Sequence, residues 1–267
     1  MFKPLLTDVR EMFAEQYHFR ELLYQMTMRD LRIRYKQTVM GFGWAVFMPI
    51  INTVVFSTIF TRVARIQTDV PYPIYAFSGL LAWNFFASSL RFSVNSLTGN
   101  TNLVTKIYFP REIFPFSAIL VSLMDFLVAS GVLAALMVYY GIGVTWTILF
   151  LPAVIIVQIA FTSGVALLLS MGNLFYRDVK YLFEVVITAW MFATSVLYPT
   201  NFVGGVFGTL LKLNPMTAII DAYRAVILRG ELPPAGPFGA AALASVLVLA
   251  VSWIVFHRGE YRFAESI

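Results

Sequence analysis

The chain has 267 residues, of which 59% are hydrophobic and only 12% charged. A water-soluble domain carries about twice that share of charged side chains to cover its surface, so composition excludes a soluble globule and points to an integral membrane protein. The excess of 19 lysines and arginines over 14 acids suits the anionic cytoplasmic leaflet better than nucleic acid. Cysteine is absent, which excludes disulfides, thiol catalysis and thiolate metal sites.

The leader, residues 1–40, comes first. Its first 36 residues hold seven basic and five acidic side chains. That is not the pattern of a signal peptide, and no cleaved segment is expected. Phe19, Leu22, Leu23, Met26 and Ile33 recur at helical spacing, while Arg29, Arg32 and Lys36 share another face. This reads as an amphipathic helix in the cytoplasmic interface, basic face toward phospholipid headgroups. The plainer alternative is a solvated basic flank that only sets topology.

A membrane-crossing helix needs about 20 apolar residues. Six stretches qualify: Phe42–Thr61, Tyr72–Leu90, Phe114–Tyr140, Trp146–Met171, Tyr181–Pro199 and Phe238–Phe256. Six crossings put both termini on one side. With the termini inside, 14 basic residues fall in cytoplasmic segments and five (Arg62, Arg65, Lys212, Arg224, Arg229) outside, as the positive-inside rule demands. A helical bundle is expected, because barrel strands would show short alternating segments. Small residues at Ala153, Ala160, Ser163, Gly164, Ala166 and Ser170, and again at Gly239, Ala240, Ala241, Ala244 and Ser245, suit close packing of the fourth and sixth spans.

Two connections stand out. The cytoplasmic loop 92–112 is polar yet carries Leu103, Val104, Ile107 and Phe109, with Asn102 placed to cap a short helix that Pro110 stops. Those apolar residues either dock a partner or fold back on the bundle. The external segment 200–237 contains Asn214-Pro215, a helix start, followed by Met216, Ile219, Ile220, Tyr223, Val226 and Ile227 at helical spacing, with Asp221 and Arg224 opposite and Gly230 as a stop. Residues 215–229 make about 22 Å of helix, too short to cross. They are expected to lie at, or dip into, the external interface as a re-entrant hairpin with a half-helix in 200–213.

The chemistry of catalysis is hard to find. No Gly-Lys pair occurs, so a Walker A phosphate cradle is excluded. The two histidines, His18 and His257, lie near the two ends, which leaves an intramembrane serine without a base. No three or four metal ligands cluster along the chain, so no metal site is expected. The intramembrane acids Asp125 and Glu184 are read as structural partners of interfacial arginines, with Arg177 and Lys180 near Glu184, rather than as a proton relay. Aromatic side chains at Trp44, Phe47, Phe56, Phe60, Trp83, Phe85, Phe86, Trp146, Trp190, Phe192 and Tyr198 form either an interfacial belt and packing surface or a lining on which sugar faces stack.

The run from Met28 through Arg29-Asp30-Leu31-Arg32-Ile33-Arg34-Tyr35-Lys36-Gln37-Thr38 to Gly41-Phe42-Gly43-Trp44 and Met48-Pro49 resembles the opening of ABC transporter permeases that export polysaccharides, the O-antigen and teichoic acid group. Lys106-Ile107-Tyr108-Phe109-Pro110-Arg111-Glu112 resembles that family's coupling segment, and Phe175-Tyr176-Arg177-Asp178-Val179 its second cytoplasmic loop. Trp190-Met191-Phe192-Ala193-Thr194, Tyr198-Pro199, Asn214-Pro215-Met216 and Phe263-Ala264-Glu265 follow in family order. One departure is Ser195, where the family often has proline.

The resemblance implies a single permease domain over 1–267 that moves undecaprenyl-diphosphate-linked glycan across the bacterial inner membrane. It implies a homodimer with two copies of a separate ATPase; ATP and magnesium would belong to that partner, with no cofactor in this chain and no catalytic residue. Leu103, Val104, Lys106, Phe109, Pro110 and Arg111 would contact the ATPase. Arg29, Arg32, Arg34 and Lys36 would sit at the lipid interface and receive the diphosphate. Phe47, Phe56, Phe60, Phe192 and Tyr198 would border the glycan passage. The competing readings are an ABC-type exporter of another lipid or drug, a membrane-embedded transferase that needs Asp125 and Glu184, and an autonomous channel or secondary carrier.

Overall fold

The computed structural model describes residues 12, 14–36, 38–41, 43–62, 68–106, 109–260 and 263, excluding the Lys106 side chain. Lys106 as a contact, and the motif positions Ile107 and Tyr108, lie outside the described residues. The fold is all-helical, with no strand among the described residues. We number the helices α1 (Arg20–Tyr35), α2 (Gly43–Arg62), α3 (Tyr72–Val94), α4 (Thr101–Lys106), α5 (Ile113–Tyr139), α6 (Leu151–Phe175), α7 (Val179–Phe192), α8 (Gly205–Leu213), α9 (Pro215–Arg224) and α10 (Ala235–Gly259).

Among the described residues, four segments are long and apolar enough to cross a bilayer: Gly43–Arg62, Ile113–Tyr139, Trp146–Phe175 and Ala235–Gly259. The chain is a membrane protein. The other two expected spans differ for distinct reasons. α3 is 23 residues long, about 35 Å, but 18 of those residues are buried. It is the central post, wrapped by α5, α6 and α2. Facing protein rather than lipid, it tolerates Asn84, Ser88 and Ser89. α7 has only 14 residues, about 21 Å, and gives way after Phe192 to turns over 193–197.

The chain returns from that break through α8 and α9. The Asn214 side chain accepts from the Met216 backbone N–H at 3.1 Å, and Pro215 occupies the first turn, so the anticipated cap forms. Gly230 takes a left-handed φ of 67°, the conformation glycine adopts without strain. The single helix anticipated over 215–229 instead ends at Arg224 and runs on as a π turn, Ala225–Arg229. Rather than lying flat, α9 dips among α10, α3 and α6, burying Met216, Ile219, Ile220 and Tyr223.

α6 and α10 form one of the closest helix pairs. Ser163, Gly164, Ala166 and Ser170 on one side and Ala241 and Ser245 on the other are buried, whereas Gly239 and Ala240 are exposed. A Cβ added at Gly164 would stand 2.8 Å from the Leu249 backbone nitrogen. Gly164→Leu is therefore expected to force the pair apart and cost about 1–3 kcal/mol. A detergent melting curve checks this; an unchanged midpoint would show that the contact has slack.

Two large apolar cores result among the described residues, beside a small cluster of Tyr72, Tyr75 and Ala76. The larger runs the length of the bundle around Phe77, Phe86, Phe161 and Tyr223. The second sits at the end where α3, α6 and α10 finish and α5 begins, which we call the knuckle end. It gathers Met26, Leu97, Val104, Phe109, Phe114, Phe256 and Phe263, with Phe19, Leu22, Leu23 and Leu103 against it. Phe19, Leu22, Leu23 and Met26 of the leader's apolar stripe thus find their partner in the chain's own loop, whereas Ile33 is exposed. We call the opposite end, with α8 and α9, the hairpin end.

Candidate functional site

α1 leans along the first half of α5. The Ser117 hydroxyl donates to Asp30 Oδ2 at 2.9 Å. Higher up, Arg34 pairs with Asp125 and the Tyr35 hydroxyl donates to the same carboxylate. The Arg34 guanidinium lies 3.6 Å from the centroid of the Phe92 ring. Asp125 is the thirteenth residue of α5, about 18 Å from its start. An arginine paired with the intramembrane aspartate is what the sequence anticipated. Burial, and then the bond to Asp125, push the Tyr35 phenol up, so it stays a neutral donor.

This pair forms the floor of a cavity of about 390 Å³ between α1, α2, α3 and α5. Trp44, Asn52, Asn84, Ser88 and Phe92 complete much of the wall. A charge pair, two amides and several aromatic side chains, Trp44 and Phe92 among them, converge between these helices. Such a lining suits a ligand with a polar, anionic end and stackable faces. Asn52, Asn84 and Ser88 escaped the sequence reading, although amides inside apolar stretches are costly unless used.

The four basic leader residues divide. Arg34 is engaged as above. Arg29 binds Asp30 at 2.7 Å and Asn100 at 3.0 Å, tying α1 to the knuckle loop. Arg32 and Lys36 are exposed. The Arg91 guanidinium binds Glu184 at 3.1 Å; the anticipated neighbours of Glu184 were Arg177 and Lys180. Both partners are about half exposed, so this pair contributes little stability.

The knuckle residues pack inward. Val104, Phe109, Pro110 and Arg111 are buried and Leu103 is half-buried. Asn102 and Thr105 on α4 face out. The Glu112 carboxylate meets His257 Nδ1 at 3.2 Å, and Glu260 lies beside Arg111 at 3.9 Å. Glu112, His257 and Glu260 form a cluster of potential metal ligands, which corrects the expectation that none gather. His257 sits in the last turn of α10, not in a free tail. Burial, and then the Glu112 charge, push Glu260 up to about 7.

The aromatic residues assigned to a passage occupy two places. Phe60 stacks on Tyr72 with centroids 6.1 Å apart, and Tyr198 packs nearby with its hydroxyl donating to the Phe192 carbonyl. Phe56 packs beside Phe60. Phe47 lies thirteen residues earlier on α2, about 20 Å away, against Trp44. Trp190, Phe192, Tyr198 and Phe207 line a second, more apolar cavity of about 580 Å³ at the hairpin end.

Arg224 corrects the sequence reading most. It was placed on a polar outer face with Asp221, yet it is 3% exposed. Nη1 donates to the Ser195 carbonyl and Nη2 to the Val196 carbonyl, each at 2.6 Å, and the guanidinium lies 3.7 Å from the centroid of the Tyr75 ring. No periodicity reveals this, because the acceptors belong to the break after α7.

Comparison with known proteins agrees with this architecture. The chain is 32% identical over 255 residues to the O-antigen export system permease protein RfbA of Myxococcus xanthus, covering 95% of this chain and 98% of the relative. It is 29% identical over 250 residues to the protein of that name from Klebsiella pneumoniae, covering 92% and 95%. Against the polysialic acid transport protein KpsM of Escherichia coli identity is 18% over 254 residues, covering 90% and 93%. The family model described as ABC-2 type transporter matches residues 21–228, from the start of α1 to the π turn after α9, and the chain belongs to that family.

Proposed function

We propose that this chain is the transmembrane subunit of an ATP-driven exporter of lipid-linked polysaccharide, of the O-antigen kind carried on undecaprenyl diphosphate, in the bacterial inner membrane. In this reading it crosses six times, counting α3 and the re-entrant α7–α9 unit, with both termini in the cytoplasm. It works as a homodimer with two copies of a separate ATPase, and ATP and magnesium bind there rather than here. The names of relatives matched over nearly their whole length support the cargo.

The observation that carries the proposal is the state of α2. Only Pro49 and Thr53 of its 20 residues are buried, yet it forms a wall of the cavity floored by Arg34 and Asp125. A helix greasy enough to cross, bare on most of its surface and facing a charged cavity floor through Trp44, Met48 and Asn52, suits half of a passage that a second copy completes. Arg32, Lys36 and the Arg34 pair would meet the diphosphate, for which guanidinium groups are suited. Phe47 near the knuckle end, and Phe56, Phe60, Phe192 and Tyr198 toward the hairpin end, would then border one route at two levels.

Force enters through the knuckle. Leu103, Val104, Lys106, Phe109, Pro110 and Arg111 remain the proposed coupling segment. The burial of Val104, Phe109 and Arg111 makes them its stiff backing, while Asn102 and Thr105 present the outer face. Reconstitution in liposomes with the co-encoded ATPase is expected to give ATP turnover stimulated by undecaprenyl-diphosphate-linked glycan. Glycan transport by this chain alone without ATP would overturn the proposal. Asn102→Arg with Thr105→Glu is expected to lower stimulated turnover and export about tenfold, a loss of about 1.4 kcal/mol in coupling, with insertion and melting unchanged. Wild-type stimulation in that variant would remove the knuckle from the coupling path.

A further inference from the structure

At the knuckle end the chain brings together three side chains that the sequence keeps far apart. Glu112 precedes α5, His257 is in the last turn of α10, and Glu260 follows that helix. One ligand atom from each lies within 4.8 Å of the others. His257 Nδ1 and Glu112 Oε1 are 3.2 Å apart. That contact uses one oxygen of Glu112 and leaves the other. Glu112 is 1% exposed, and its Oε2 is buried with no hydrogen-bond partner. A carboxylate oxygen that has lost water and gained nothing is strongly unfavourable.

The surrounding charge deepens the deficit. Glu112 and Glu260 face each other across His257, and Glu15 lies within electrostatic reach of that ring. Against them stands Arg111, whose Nη1 is 3.9 Å from Glu260. The backbone N–H of Arg111 donates to Glu260 Oε2 at 3.3 Å, which orients that carboxylate.

We infer that Glu112, His257 and Glu260 form a three-ligand site for a first-row divalent metal ion of the zinc type. The donor set is one imidazole nitrogen and two carboxylate oxygens. Magnesium and calcium prefer oxygen alone, while imidazole selects zinc and its neighbours. Ligand atoms about 2.1 Å from a tetrahedral ion stand about 3.4 Å apart, so the set closes with a movement of about 1 Å, chiefly by the Glu260 side chain. Water fills the remaining position. The ion supplies a partner for Glu112 Oε2 and pins the end of α10 to the residue that closes the coupling segment. This site is independent of what the permease carries.

The chain suits a direct test, because its only other histidine is His18 and it has no cysteine. The full chain is purified without a histidine tag, stripped with chelator and titrated with Zn²⁺. One ion per chain is expected, with a rise in melting temperature. Glu112→Gln and His257→Ala are each expected to weaken binding at least about tenfold, and His18→Ala to leave it unchanged. Should Glu112→Gln fail to fold, Glu260→Gln and the visible spectrum of Co²⁺ bound to the unaltered chain decide the matter, the expected result being nitrogen–oxygen coordination. Absence of stoichiometric binding in the unaltered chain, or equal binding in His257→Ala, overturns the site.

Discussion

Arg224→Leu is expected to cost the folded chain about 3–5 kcal/mol, the range found when one partner of a buried charged network is removed. The size follows from what Arg224 holds. Its two Nη atoms bond the carbonyls of Ser195 and Val196 at 2.6 Å, in the turn where α7 breaks. Both residues are fully buried, so those carbonyls have no water to turn to. Asp221 Oδ1, 3.4 Å from Nη1, loses its counter-charge at the same time. Leucine fills part of the volume and satisfies none of the acceptors. Arg224→Lys keeps the charge but not the fork, and falls between. A thermal melt in detergent reads the order: unaltered chain, lysine, leucine. A leucine variant that melts with the unaltered chain would show that the break after α7 is held by something else. Gly79 supports the same joint: a Cβ there would lie 2.5 Å from Arg224 Nη2 and even closer to the Val196 carbonyl.

That joint also marks where the sequence stops being legible. Local signals survive intact. Asn214-Pro215 starts a helix because the amide caps it and proline needs no donor there, and Gly230 ends the following turn because only glycine takes that backbone freely. Long apolar runs give the helices that, among the described residues, are long and apolar enough to cross, because lipid imposes such a composition. The hidden parts are those set by partners distant in the chain. α3 is less apolar than a lipid-facing helix because protein surrounds it. Arg224 sits at a spacing that looks polar and outward, and the carbonyls of 195 and 196, with Asp221 and the Tyr75 ring, make its burial tolerable. The acids were partly readable: Asp125 called for an arginine and has Arg34, whereas Glu184 takes Arg91 from a neighbouring helix rather than a residue of its own loop. The Glu112, His257 and Glu260 cluster is invisible to spacing because it joins the start of one helix to the end of another.

Asp125→Asn tests whether the leader helix is a built-in part of the cavity or a loosely attached flank. Asparagine is nearly isosteric and still accepts from Tyr35, but it leaves Arg34 without a carboxylate. The Arg34 and Asp125 side chains are 16% and 22% exposed, too enclosed for water to compensate fully and too open for the full cost of a buried charge. A loss of about 2 kcal/mol lies between the exposed and buried limits. The remaining ties of α1 are smaller: the Asp30–Ser117 bond, the Arg29–Asn100 bond and the packing of Met26, Leu22 and Leu23 on the knuckle core. These hold α1 as far as Asp30, so the loss falls on its end, Leu31 to Tyr35, where Arg34 and Tyr35 floor the cavity. Hydrogen exchange is expected to rise about 30-fold in the last two turns of α1, the factor that 2 kcal/mol represents, with α5 unchanged. The reversed pair, Arg34→Asp with Asp125→Arg, is expected to recover part of that protection, since charge and reach are kept while the Tyr35 acceptor moves. If exchange in α1 matched the unaltered chain, the pair would be ornamental, and the cavity floor would rest on helix packing alone.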